Sequence, residues 1–145
     1  MKHTLKAAIL TLALSTAPMA AHAETAKELV VKAITEIFID GNSDAIDTYF
    51  SEDYIQHSPT IKPGREVIKE MFSNMPPSYK YEMGMVIGEG DLVAVHGRLT
   101  GFSPKPLISV DIFRVEDGQI AEHWDVLQEE ILDTASGEPM FTPMQ

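Results

Sequence analysis

The chain contains no cysteine. Disulfide staples and thiolate chemistry are both excluded, so an apolar core must hold the fold unaided. Basic residues are scarce: 11 lysines and arginines face 22 acidic residues, for a formal charge of −11. So acidic a surface disfavours nucleic acid and anionic membrane as partners. Long apolar runs are missing too, and the one near the N-terminus is too short to span a bilayer. No internal repeat, low-complexity tract or linker interrupts the 145 residues.

That N-terminal run has a different meaning. "MKHTLKAAILTLALSTAPMAAHA" places Lys2 and Lys6 ahead of an apolar run from Ala7 to Leu14, and small residues lead to Ala21-His22-Ala23. This is the three-part pattern of a secretory signal peptide with an A-x-A site. Cleavage after Ala23 is expected, leaving residues 24–145 as one domain in the periplasm or outside the cell. A domain of that size buries roughly two-thirds of its unfolded surface, enough for one core.

The remaining pattern divides in two. "ETAKELVVKAITEIFIDGN" repeats Val30, Ala33, Ile34, Ile37 and Phe38 at helical spacing, with Gly41 as a stop. "NSDAIDTYFSEDY" reads as a second, shorter helix, and "IQHSPTIKPG" as a loop broken by Pro59, Pro63 and Gly64. "REVIKEMFSNM" is a third helix, ended by Pro76 and Pro77. Strands are expected near 79–88, 91–102, 107–116 and 119–129, with turns at Gly90-Asp91, Ser103–Pro106 and Asp117-Gly118. Helices first and an antiparallel meander after them predict an α+β domain, its helices on one side of a sheet.

The last hairpin, "DIFRVEDGQIAEHWDVLQ", carries the chemistry. Its register depends on the turn, because a one-residue slip exchanges the two faces. A two-residue Asp117-Gly118 turn sets Asp111 opposite Trp124 and sends Asp111 and Asp125 to opposite faces. A three-residue loop, Glu116-Asp117-Gly118 with a G1 bulge, sets Asp111 opposite His123 and Ser109 opposite Asp125. The second is favoured. It gathers Val110, Ile112, Ile120, Trp124 and Val126 on one face, and Asp111, His123 and Asp125 on the other. Such a polar face can simply meet water. Yet Phe113 and Leu127 share it, and apolar surroundings disfavour an ionised carboxylate, which suits acid–base work near neutral pH.

These residues also carry a resemblance. "DIFRVEDGQIAEHWD", "DYIQHSP" and "GDLVAVHGRLTG" closely resemble segments of the SnoaL-like polyketide cyclases, within the nuclear transport factor 2-like superfamily. The resemblance spans nearly all of the chain after Ala23. It implies an α+β cone, in which a strongly curved antiparallel sheet and three N-terminal helices enclose a pocket. It also implies a homodimer through the outer, Trp124-bearing sheet face. In the cyclases, an aspartate matching Asp125 acts as acid and base in an aldol ring closure. The position matching Asp111 lines the same pocket and is histidine in a cyclase of this type. His123 matches a family histidine. The function so implied is proton transfer next to a carbonyl on a small apolar compound, by isomerisation, cyclisation or aldol chemistry, without a cofactor. A non-catalytic carrier of a small hydrophobic ligand is the alternative, and a protein-interaction module a third.

Tyr54, His57 and His96 complete the candidate pocket. His57 has an equal reading as a loop residue capping backbone near Pro59, and His96 as a surface residue. The three histidines with an aspartate could bind zinc, but none has the helical or short-loop spacing of usual ligands, so no metal is expected. Met83 and Met85 read as core or pocket filler, and Trp124 as packing.

Overall fold

The computed structural model describes residues 24–144; the stretch read as a signal peptide lies outside the described residues. Helix α1, Ala26–Ile34, starts at Thr25. The Thr25 hydroxyl accepts from the Glu28 N–H, and the Glu28 carboxylate accepts from the Thr25 N–H. This capping box satisfies two otherwise orphaned donors. Leu29, Val30, Ala33 and Ile34 form its buried stripe. The helix continues as a π-helical turn, Thr35–Ile39, whose Phe38 packs on the rings of Phe72 and Tyr81.

The second helix is far shorter than its sequence suggests. A 3-10 turn, Ser43–Ala45, leads into helix α2, Ile46–Tyr49. The chain then extends as strand β1, Phe50–Gln56, where the end of a helix and the start of a loop were expected. Strand β1 pairs in parallel with the last strand of the chain. Local periodicity carries no sign of a partner so distant in sequence. Helix α3, Arg65–Ser73, follows and buries Ile68 and Phe72.

Strands β2 (Lys80–Glu89), β3 (Leu92–Thr100), β4 (Leu107–Glu116) and β5 (Gln119–Glu129) form the antiparallel meander. With β1 the order is β1-β5-β4-β3-β2. The class is α+β, but the expected cone of antiparallel strands is corrected. The sheet is mixed, because β1 runs parallel to β5, and open, because β1 and β2 are its two unpaired edges. The helices cover one face, and the core lies between them and Val93, Val95, Phe113 and Ile120. On the other face the tail is fastened by Phe141, packed against His96, and by a Met144 N–H to Met83 carbonyl bond of 2.9 Å.

The turn of the last hairpin also differs. Asp117 and Gly118 have φ of 50° and 74°, so they form a two-residue type I′ turn that pairs Glu116 with Gln119. The expected three-residue loop is absent. A bulge lies further along β5 instead. Val115 pairs with Ile120 and Arg114 with Glu122, so Ala121 is the extra residue. One inserted residue reverses the parity of everything beyond it. Asp111 therefore lies opposite Asp125, not His123, and His123 opposite Phe113. The three polar residues still share the inner face. Ile120 does not join Trp124 outside; it is fully buried in the core.

Candidate active site

Strand alternation aims Ser109, Asp111 and Phe113 of β4 inward, facing His123, Asp125 and Leu127 of β5. Asp111 is 6% exposed and His123 7%, so neither meets bulk water. Burying a carboxylate is costly unless its oxygens are satisfied. Here Oδ2 accepts from the Tyr81 hydroxyl at 3.0 Å and the Ser109 hydroxyl at 2.7 Å, and Oδ1 faces His123 Nε2 at 3.2 Å. Tyr81 reaches Asp111 by crossing Gly97. A β-carbon there would overlap the Tyr81 hydroxyl and lie 2.6 Å from Ser109 Oγ.

The other side of the His123 ring meets Gln56. Nδ1 lies 3.0 Å from Gln56 Oε1, which also accepts the Ser58 N–H at 2.9 Å, while Gln56 Nε2 donates to the Tyr54 hydroxyl oxygen at 3.0 Å. Gln56 Oε1 can only accept, so Nδ1 carries a hydrogen. A bare Nε2 facing a bare carboxylate oxygen would repel it. The 3.2 Å contact between Nε2 and Oδ1 therefore favours a hydrogen shared between the two groups.

Asp125, directly across the ladder, is different. It is half-buried, and its carboxylate forms no hydrogen bond or ion pair with another described residue. Its charge helps keep a neighbour neutral. Burial first, then Asp125 and Asp111, push the Tyr54 phenol above its ordinary range; burial and Asp111 do the same to Tyr79 and Tyr81. All three remain O–H donors at any physiological pH.

Asp111, His123, Asp125 and Tyr54 line one cavity of about 90 Å³. Its walls are apolar, with Phe38, Phe50, Phe72 and Phe113 among them, and no lysine or arginine lines it. Phe102 and Leu127, 46% and 43% exposed, line it at the solvent side.

The two other expected pocket residues are elsewhere. His57 stacks on Trp124 at 4.7 Å and pairs with Glu122 at 2.7 Å, on the outer face. Hydrogen bonds from His57 and Arg114 hold the Glu122 carboxyl below its ordinary range. His96 packs on Phe141, also outside. The reason is the two-residue period. Tyr54, Gln56 and Ser58 point inward, so His57 points out; Val95 and Gly97 point inward, so His96 does not. Gln56, Tyr79 and Tyr81 were overlooked, and Ser109 was placed on this face without a role. The alternations Tyr54-x-Gln56-x-Ser58 and Tyr79-x-Tyr81 were their signal, hidden because the first was read as helix and loop. Among the described residues no three His, Asp or Glu side chains converge as a metal site requires.

A family model described as "SnoaL-like domain" matches residues 31–123, well over half of the chain. No curated protein matches it in sequence. Among solved structures, a nuclear transport factor 2-like protein of unknown function from Cytophaga hutchinsonii superposes with a TM-score of 0.63 at 18% identity, covering 74% of this chain and 95% of that one. A provisionally assigned ketosteroid isomerase from Kribbella flavida gives 0.63 at 18%, over 72% and 78%. A provisionally assigned polyketide cyclase from Bacillus cereus gives 0.59 at 22%, over 69% and 72%. At such identities these structures speak for the fold alone.

Proposed function

This chain belongs to the SnoaL-like domain family, and we propose that its inner cavity carries out cofactor-free proton transfer on a small, largely apolar carbonyl compound. One observation carries this: two carboxylates face each other across a β-ladder, one held by Tyr81, Ser109 and His123 and one without a partner. Asp125 is then the base. It takes a proton from the carbon next to the carbonyl, and the electron pair moves toward the carbonyl oxygen. The His123–Asp111 pair, its proton between Nε2 and Oδ1, stabilises the enolate oxygen and can protonate it. Isomerisation, ring closure or aldol addition would depend on what the bound molecule presents next.

The test is exchange of α-protons. Cyclopentanone is incubated with the protein in deuterated water, and loss of its α-proton signal is followed by NMR. Asp125→Asn should slow the catalysed exchange by about 10²–10⁴-fold, the usual contribution of a general base. Equal rates for the native protein and Asp125→Asn would remove Asp125 from the mechanism. The largely apolar lining favours one second reading, a carrier of small hydrophobic molecules; Asp125→Asn would then bind its ligand unchanged.

We also propose export after Ala23, and pairing of two chains through the outer face, where Val110 and Val126 are 38% and 67% exposed beside Trp124. N-terminal sequencing of the exported protein and its sedimentation mass test the two.

A further inference from the structure

One polar atom of the cavity takes no part in the network described above. The Tyr79 hydroxyl is buried, and it has no hydrogen-bond partner among the described residues. It is also the one buried side-chain nitrogen or oxygen among them in that condition. A buried donor left unpaired is unfavourable, and such groups in folded proteins call for a reason. Tyr79 lies just ahead of β2, and its side chain and that of Tyr81 both line the same cavity. Its ring packs edge-on against Phe72, at 6.2 Å between centroids. Tyr81 donates to Asp111; Tyr79 donates to nothing.

The surroundings say what it can donate to. The cavity holds the carboxylates Asp111 and Asp125, one imidazole and no lysine or arginine, so it does not welcome an anion. Most of the lining is hydrocarbon and aromatic. The molecule that fits all three facts is small, apolar and uncharged, with one oxygen acceptor placed for the Tyr79 hydroxyl. Burial and the nearby Asp111 charge keep that phenol protonated, so it remains a donor.

We propose that Tyr79 is the specificity-determining residue of this cavity: its hydroxyl hydrogen-bonds an oxygen acceptor of the bound molecule and selects it over a hydrocarbon of the same shape. This rests on the cavity being the ligand site and adds which class it takes. It does not require Asp125 to be a base.

The test compares cyclopentanone with methylenecyclopentane, which differ in oxygen against CH₂, using calorimetry on native protein and Tyr79→Phe. The native protein should prefer the ketone. Tyr79→Phe should weaken ketone binding about tenfold, or ~1.4 kcal/mol, and leave the alkene unchanged or tighter. The C=O stretch of the bound ketone should lie at lower frequency in the native protein than in Tyr79→Phe. The urea midpoint of Tyr79→Phe should equal or exceed the native one, because no intramolecular bond is lost. Three results overturn the proposal: no ketone preference in the native protein, including no binding of either probe; equal loss for both probes; or a lowered urea midpoint with an unshifted C=O stretch. Asp125→Asn separates this from the catalytic proposal. If it retains ketone preference while exchange persists unchanged, the base assignment fails and Tyr79 stands.

Discussion

Removal of one carboxylate, compared with removal of its neighbour across the ladder, gives the sharpest test of the site. Asp111→Ala takes the acceptor away from three donors: the Tyr81 hydroxyl, the Ser109 hydroxyl and His123 Nε2. All of these residues are buried. Each unpaired buried donor costs about 1–3 kcal/mol. The hydroxyls can rotate, and water can enter the adjoining cavity, so the total should fall at the low end of the additive range. Loss of one member of a buried charged pair, ~3–5 kcal/mol, is the better guide. A domain of this size has only about 5–15 kcal/mol in all. Asp111→Ala should therefore lose about a fifth of its stability or more.

Asp125→Ala strips a carboxylate that nothing holds. It also removes a like charge directly opposite Asp111. Its effect should lie within ~0.5 kcal/mol of zero. Urea unfolding at neutral pH, followed by circular dichroism, measures both. If the two variants fell by equal amounts, the division into a held carboxylate and a free one would be wrong. Asp111→Asn should fall between them, because it keeps one acceptor oxygen while presenting an N–H₂ to donors.

Other perturbations follow from the same geometry. Gly97→Ala should destabilise the protein by ~1–3 kcal/mol through overpacking against Tyr81 and Ser109; combined with Tyr81→Ala, the two losses should be less than additive in urea titrations. All four tyrosines have phenols pushed up, Tyr49 to about 12 because its hydroxyl donates to Glu36. A raised folded value favours the native state below the unfolded value and loses that contribution above it, so stability should fall from about pH 10 upward, by up to ~1.4 kcal/mol per pH unit for each buried tyrosine. Phenolate absorbance should then appear together with unfolding; a hyperbolic rise in the folded protein near pH 10 would contradict it. Glu122 is held low by His57 and Arg114, so its contribution is present at neutral pH and is lost as pH falls below about 4. Glu122→Gln should flatten that acid limb of the stability curve.

The helical stripe of α1 was legible from spacing, and so were the ends of β4 and β5, because alternation and turn residues are local signals. The inward placement of Asp111, His123 and Asp125 was legible as well, through a route the molecule does not use. The sequence pattern demanded one extra residue between Asp111 and His123, and the choice of Glu116-Asp117-Gly118 as a three-residue loop supplied it in the wrong place. The type I′ turn leaves parity unresolved until Ala121 shifts it. Nothing in the neighbourhood of Ala121 advertises a bulge, because Ile120 and Ala121 can both be buried only against a core made by distant segments. β1 was missed for the same reason. Its partner is β5, and its alternation was masked by residues that suit the end of a helix.

The residue pattern alone determined that a cysteine-free acidic chain would fold as helices followed by a meander, with three polar side chains gathered on one face of its last hairpin. Tertiary structure decided which of them is held and which is free. It also decided that Gln56, not His57, meets the imidazole, and that Tyr79 faces a cavity without a partner. Pleat and period fix the direction of a side chain within its own strand; only the packing of strands remote in sequence decides what stands at the other end of the hydrogen bond.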